Sequence, residues 1–264
     1  MIHEMVFRRK SVRKYTGEPV DDETLEKITA FCAAAKPLHP DIQVRARIVT
    51  KEQVRFYFPW KTPQLIAVFS ENKPGYLENV GFLFQQVDLY LQSMGLGSCW
   101  LGLGKLRDVG IQEDGMEYVI LMAFGHPDGT ALRSDISQFQ RKTLADITDT
   151  PDERLEPARL APSSTNSQPW YFTHEGDTVH AYRSEAGLLR HKMLGNMNRI
   201  DMGIALAHMY VTNPDTFRFF AAEAPELKGY AYSGSFPLKN APSDVAIGGC
   251  VFVCFQEISA RYSS

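Results

Sequence analysis

The 264-residue sequence lacks several patterns that would assign a function class at once. No apolar run reaches the roughly 20 residues of a transmembrane helix, and the charged N-terminus has no apolar segment behind it, so we predict neither a membrane partner nor a secretory signal. The four cysteines form no CxxC pair, and the seven histidines form no HxxxH pair. We therefore expect a reduced, cytoplasmic protein without a bound metal ion.

Glycine-rich nucleotide motifs are also missing. The stretch GLGSCWLGLG (residues 95–104) does not fit GxGxxG and follows a predicted helix rather than a strand, which excludes the Rossmann fingerprint. GLGKL lacks the upstream glycine and the Ser/Thr of a P-loop. We interpret this stretch as a glycine-rich loop without a dedicated dinucleotide pocket.

The net charge is small and negative, at −3 for the whole chain, which argues against a protein built to bind nucleic acid. Positive charge is nevertheless concentrated in RRKSVRK (residues 8–14), where five cations surround Ser11. Like charges at ~6 Å repel by about 0.7 kcal/mol per pair even in water. The cluster therefore predicts a bound anion, and a phosphate group is the best match. A solvated basic face that contacts RNA or a membrane is the alternative.

The periodicity predicts an α+β fold in which one order of elements occurs twice. A helix (21–35), two strands (42–50 and 63–71), a long apolar helix (76–95) and a strand (116–129) are followed by a similar series from residue 151 to about 238. We predict two similar α/β halves, 1–150 and 151–264, around long central helices. Any α+β chain shows some such order, so chance similarity is the alternative. The last residues, with a predicted strand at 250–255, have no counterpart.

Two glycines support the duplication. Gly81 and Gly203 lie at matching places in the two long helices. Glycine in a helix interior costs about 1 kcal/mol relative to alanine. Two helices that accept it in register predict close helix–helix packing.

The second unusual string is LAPSSTNSQPWYF (residues 160–172), which follows a predicted helix and leads into a strand. Its hydroxyl and amide groups can each donate and accept hydrogen bonds, which suits a ligand rich in carbonyls, ring nitrogens and hydroxyls. An ordinary polar turn is the alternative.

These features together resemble the FMN-dependent nitroreductases. The resemblance is carried by RRKSVRKY, by APSSTNSQPWYF, and by the long helix that runs into GLGSCWLG before a strand ending in FGHP. It implies a nitroreductase-like fold with FMN as cofactor and NAD(P)H as reductant. It also implies that the FMN phosphate and ribityl chain bind at Arg9, Lys10, Ser11, Arg13 and Arg141. The residues that meet the flavin from across an interface would be Pro162, Ser163, Ser164, Asn166 and Gln168. Those near the isoalloxazine ring, where a backbone N–H would reach flavin N5, would be Gly97, Ser98 and Cys99.

The chain differs from the family in where the polar string lies along the sequence. In ordinary homodimers that string follows the first helix, but here AAAKPLHPD (33–41) stands in that position and the string lies in the second half. Each half keeps what the other lacks. The chain therefore resembles a dimer fused into one polypeptide, a tandem-duplicated nitroreductase-like subfamily. We expect a monomer that acts as a pseudo-dimer with one site.

The function implied is that of an FMN-dependent NAD(P)H oxidoreductase. Hydride would pass through flavin N5 in a ping-pong cycle to a small-molecule acceptor such as a nitroaromatic or a quinone. No catalytic side chain is required, because the flavin carries the chemistry. A flavin-binding protein without turnover is the alternative.

Overall fold

The computed structural model describes residues 1–56, 58–107, 113, 115–185 and 191–238, with main chain alone for 191–194. The helices are α1 Ile2–Met5, α2 Asp22–Ala34, α3 Tyr76–Ser93, α4 Leu144–Ile147, α5 Glu156–Leu160 and α6 His191–Thr212. The strands are β1 Val44–Thr50, β2 Val54–Arg55, β3 Gln64–Ser70, β4 Gly97–Leu101, β5 Lys105–Leu106, β6 Glu117–Gly125, β7 Trp170–Glu175, β8 Thr178–Ser184 and β9 Tyr230–Pro237.

The strands form three antiparallel sheets. The first half has a four-stranded sheet in the order β1-β3-β6-β4 and a small β2-β5 pair, and the second half has a three-stranded sheet in the order β7-β8-β9. Strand β3 is buried along its whole length because it is central and both of its faces are covered. The predicted order of helix, strand, strand, long helix and strand occurs first as α2, β1, β3, α3 and β6, with β2, β4 and β5 between them. It occurs again as α5, β7, β8, α6 and β9, where the first helix has only five residues.

Two local expectations need correction. The stretch predicted to be a glycine-rich loop is largely strand β4, which pairs with β6. The helix predicted from residue 151 is only a short 3-10 turn, Glu153–Leu155, followed by the five residues of α5. Helix α2, in contrast, begins as predicted, since the Asp21 side chain accepts a hydrogen bond from the Thr24 N–H at 2.9 Å.

Helices α3 and α6 cross at the two matching glycines. A Cβ atom at Gly81 would lie 2.1 Å from the carbonyl oxygen of Ile200, and one at Gly203 would lie 2.0 Å from that of Glu78. Each glycine thus lets the backbone of the other helix approach to contact. The close packing predicted from these glycines is confirmed, and most of the hydrophobic core lies around this crossing.

The residue two positions before each glycine performs the same task in both halves. The Asn79 side-chain oxygen accepts the N–H groups of Leu38 and His39 at 2.8 and 3.0 Å. The Asp201 carboxylate accepts the N–H of Ser164 at 3.0 Å. Each long helix therefore holds a loop that follows an earlier helix, the loop after α2 for α3 and the loop after α5 for α6.

The predicted strand at 250–255 lies outside the described residues. Within the described residues, none of the helices is both long enough and apolar enough to cross a membrane.

Candidate functional site

The N-terminal cationic segment lies along the free edge of strand β4. Ser11 pairs with Ser98 in a parallel bridge, and the Val12 N–H donates to the Ser98 carbonyl at 2.9 Å. A Cβ atom at Gly97 would lie 2.6 Å from the Val12 side chain, so glycine is required for this approach. The sheet thus fixes the segment in place.

Arg9 is anchored below this surface. It is 1% exposed, and its Nε donates to the Asp88 carboxylate of α3 at 2.9 Å. Asp88 also accepts from Ser98 Oγ at 2.6 Å and from Gln85 Nε2 at 2.9 Å. The sequence predicts Arg9 as a cation that binds the ligand phosphate, whereas the structure shows its guanidinium buried against the fully buried carboxylate of Asp88. Ligand contact by Arg9 stays a prediction.

A buried hydrogen-bond chain continues from Asp88 into the second half. The Gln85 amide nitrogen lies 3.1 Å from His208 Nε2, and His208 Nδ1 lies 2.9 Å from the carbonyl oxygen of Pro157. Because that carbonyl can only accept, Nδ1 donates and Nε2 accepts. Burial, together with the charge of Arg9, lowers the pKa of His208 to about 3, so this histidine is neutral at physiological pH.

The remaining predicted residues of the segment are more accessible. Lys10 and Ser11 are half-buried, and the Lys10 N–H donates to the Gln92 side chain at 3.1 Å. Arg13 is exposed and lines a cleft of about 400 Å³ together with Lys14 and Lys61. Arg13 and Arg9 both lie close enough to Cys99 to oppose the rise in the pKa of its thiol that burial causes. Cys99 itself is a buried residue of β4, as is Ser98.

An arginine that the sequence reading missed completes the positive cluster. Arg133 Nη1 donates to the Arg9 carbonyl, and its guanidinium carbon lies 4.1 Å from the centre of the Phe139 ring. Arg141 lies near the same ring, at 5.7 Å. Burial and the neighbouring charge of Arg9 lower the pKa of Arg133 and of Arg141 to about 10. Neither guanidinium has an acidic partner among the described residues, so the cluster is suited to an anion.

Arg141 also joins this cluster to the polar string. Its Nη1 donates to Asn166 Oδ1 at 2.6 Å, and its Nε donates to the Ala161 carbonyl at 3.0 Å. Asn166 Nδ2 in turn donates to the Gln140 carbonyl at 2.8 Å. The structure therefore brings the cations of the first half and the amide of the second half into direct contact.

The string itself has an unusual backbone. Thr165, Asn166 and Gln168 have φ angles of 52°, 58° and 47°. This left-handed region is rare for residues other than glycine and especially rare for a β-branched side chain. Such strain persists where surrounding contacts impose it, and the hydrogen bond from the Ser164 N–H to Asp201 is one of these contacts.

Gln168 is an internal brace of the string. Its side-chain oxygen accepts from the Lys142 N–H at 2.7 Å, its amide nitrogen donates to the Asn166 carbonyl at 3.1 Å, and its own N–H donates to Ser163 Oγ at 2.8 Å. Both ends of the amide are thus already used by the protein. Pro162 is buried, whereas Ser163 and Ser164 are half-buried. Flavin contacts by the residues of the string remain a prediction.

An α+β fold with a phosphate-suited arginine cluster at the junction of its halves is consistent with a nitroreductase-like protein. A family model described as "Putative TM nitroreductase" matches residues 1–213. The chain belongs to this family, and a single model covers most of both halves.

One solved structure supports this fold. A protein from Thermotoga maritima titled a putative nitroreductase is 20% identical, covers 90% of this chain and 93% of its own, and superposes with a TM-score of 0.61. An FMN-dependent nitroreductase from Clostridium difficile is 16% identical and covers 54% of this chain and 99% of its own, with a TM-score of 0.41. No curated protein matches the sequence.

Proposed function

We propose that this protein is an FMN-dependent NAD(P)H oxidoreductase of nitroreductase type. The observation that carries the proposal is the pair Arg133 and Arg141, which have lowered pKa values and no acidic partner among the described residues. Arg141 in addition contacts Asn166 of the polar string. Family membership supports an oxidoreductase. The reductant, the acceptor and the dependence on FMN are part of the proposal.

The donor set fits the phosphate of FMN. Two partly buried guanidiniums repel each other, and a dianionic phosphate would relieve that repulsion with charge-assisted hydrogen bonds of roughly 1.5–3 kcal/mol each. Lys10, Ser11 and Arg13 would extend the contacts along the ribityl chain and towards the ring. Asp88 holds Arg9 in a fixed position, so that the floor of the site is already organised before a ligand arrives.

FMN, when bound, would supply the hydride chemistry, accepting from NAD(P)H and donating in a second step to a nitroaromatic, a quinone or a related acceptor. The protein residues would then bind and orient the flavin and exclude water from it. The Arg141–Asn166 contact and the Asp201–Ser164 hydrogen bond would hold the string against the flavin. No side chain needs to act as nucleophile or proton donor.

We further propose that one chain is a fused pseudo-dimer of halves 1–150 and 151–264 with a single site. The reciprocal contacts of Gly81 and Gly203 and the matching roles of Asn79 and Asp201 support this origin. The position that corresponds to the string in the first half, 33–41, has no hydroxyl side chain and no Asn or Gln. A second site of the same chemistry is therefore not expected.

The test is an absorption spectrum of the purified protein, reconstituted with FMN and then exposed to NADH or NADPH without oxygen. We expect a flavin spectrum that is bleached by a reduced nicotinamide and restored by a quinone or nitroaromatic acceptor. A yellow protein that is not bleached would establish flavin binding without turnover. A protein that does not retain FMN at all would contradict the proposal.

A further inference from the structure

A second cleft lies in the other half of the molecule. It has a volume of about 380 Å³ and opens beside the end of β7, and its lining includes none of the arginines or string residues of the candidate flavin site. One wall is the segment around Pro225, which is fixed by hydrogen bonds from Tyr182 Oη to the Pro225 carbonyl at 2.8 Å and from the Ala222 N–H to Tyr232 Oη at 2.9 Å. The cleft is thus a built part of the fold.

One buried hydroxyl group of this cleft lacks a hydrogen-bond partner. Thr173 is 9% exposed, and its Oγ1 has no partner among the described residues. Side chains alternate along a strand, so Thr173 shares its face of β7 with the cleft residue Glu175, whereas His174 points to the opposite face. The His174 ring is engaged by two carboxylates, with Nδ1 2.7 Å from Asp149 and Nε2 3.5 Å from Asp152. A hydroxyl oxygen can accept hydrogen bonds, and burying it unpaired is costly, so Thr173 favours a ligand that donates.

The acidic residues of the cleft are Asp149 and Glu175, and no lysine or arginine lines it within the part of the chain that the structure describes. Glu175 is held towards the cleft by the buried His180, whose Nε2 lies 3.1 Å from a carboxylate oxygen while its Nδ1 lies 2.8 Å from Ser235 Oγ. The two acids therefore present a fixed negative potential at the opening.

The rest of the lining is apolar or aromatic. Tyr171, Pro225 and Leu227 supply it, and the Tyr171 ring packs against Tyr230 with 5.4 Å between ring centres. Aromatic faces attract organic cations, and a pocket of this size suits a small ligand.

We propose that this cleft binds a small organic amine, with its ammonium group at Asp149 and Glu175 and its apolar body against Tyr171 and Leu227. The ammonium hydrogens would also satisfy Thr173 Oγ1. This site is independent of the proposed flavin chemistry.

The test compares 2-phenylethylamine with its neutral counterpart, 2-phenylethanol, by isothermal titration calorimetry on the full chain. We expect the amine to bind at least about tenfold more tightly, since charge-assisted hydrogen bonds are the discriminating contacts. The double variant Asp149→Asn/Glu175→Gln should lose about tenfold or more of the amine affinity. Thr173→Val, which keeps the shape and removes the hydroxyl, should weaken binding several-fold.

Glu23→Gln, at an exposed carboxylate of α2, is the matched control and should leave the affinity unchanged. Thermal melts of each variant would show that it is folded. Glu175→Gln alone replaces a 76% exposed side chain and provides a readout if the double variant is unstable. Equal affinity for amine and alcohol, no change in the carboxylate variants, or no binding at millimolar amine would overturn the proposal.

Discussion

Arg141 connects the two parts of the candidate site, because it belongs to the basic cluster and contacts the polar string. Replacing it by methionine keeps much of the side-chain length and removes a charge-assisted donor. We expect Arg141→Met to weaken FMN binding by roughly 10- to 100-fold. Quenching of flavin fluorescence during titration measures this affinity.

The control for this experiment is Arg218→Met, at an exposed arginine that donates to the backbone carbonyl of Phe217, outside the site. It should bind FMN as the unmodified protein does. Equal affinities for all three proteins would show that Arg141 does not hold the phosphate.

Asp201 makes a second prediction at the residue scale. Burial raises the pKa of this carboxyl from 3.8 to about 8, and the Ser164 N–H opposes only part of that rise. Between these two values the folded protein holds a proton that the unfolded chain releases, so stability is lost as the pH rises from about 4 to 8. Asp201→Asn removes this titration and keeps an oxygen that can accept from Ser164, as Asn79 does in α3.

We therefore expect Asp201→Asn to be more stable than the unmodified protein at pH 8, with a difference that grows by about 1 kcal/mol per pH unit above pH 5. Urea unfolding at pH 5, 6.5 and 8 measures the free energies. Asp22→Asn, at the exposed start of α2, is the control and should show no such trend. A constant difference across this range would mean that Asp201 stays ionised in the folded state.

Residue chemistry read from the sequence located part of the site. The amide and hydroxyl string was recognised from its composition, and its contact with Arg141 follows from the fold. Arg133 was missed because its importance comes from stacking on Phe139 beside Arg9, which no local spacing reveals. Gln168 was assigned to the ligand because an amide is able to bind one, yet the protein already uses both of its ends.

At the scale of elements, the crossing of α3 and α6 predicts that a glycine-to-alanine substitution destabilises the protein, the opposite of its usual effect in a helix. Alanine normally stabilises a helix by about 1 kcal/mol relative to glycine. At Gly203 the added methyl group would lie 2.0 Å from a backbone oxygen, so the helices would have to separate. We expect Gly203→Ala to lower the free energy of unfolding by roughly 1–3 kcal/mol or more.

Chemical denaturation measures this change, and Ser93→Ala, at an exposed position near the end of α3, is the control that should alter stability by less than about 0.5 kcal/mol. If Gly203→Ala proved more stable than the unmodified protein, the two helices would not be in backbone contact.

The helices and strands were predicted well where the hydrophobic periodicity was strong, and poorly where tertiary contacts determine the local structure. Helices α2 and α3 and strands β1 and β3 follow their apolar patterns. Strand β4 was taken for a loop because of its glycines. Gly97 is required because the Val12 side chain packs against it, and not because the backbone turns there. Residue preferences for turns and strands contain no information about such a tertiary contact.

For the whole molecule, the proposed fusion predicts both the mass of the species in solution and the number of flavins that each chain binds. We expect a monomer near 29.8 kDa that binds one FMN. Sedimentation velocity and the ratio of flavin absorbance to protein measure these quantities. Two flavins per chain, or a site that forms only upon dimerisation, would contradict a single complete site per polypeptide.

The glycine pair allowed the close crossing of α3 and α6 to be predicted from the sequence, whereas the division into two duplicated halves stays a prediction. The way the halves meet could not be read in the same manner, because the Arg141–Asn166 contact depends on the path of the residues between β6 and α5. Those residues are polar and aperiodic, and only tertiary packing fixes them.

The crossing of α3 and α6 also determines how this molecule responds to mutation. In a symmetric homodimer, one codon change alters both sides of such a crossing and both ligand sites at once. Here Gly81 and Gly203 are encoded separately, so each face of the crossing can vary while the other remains constant. Under the proposed fusion, the loops on either side are equally free to acquire different sequences, which would account for the chemical difference between the string at 162–168 and the residues at 33–41.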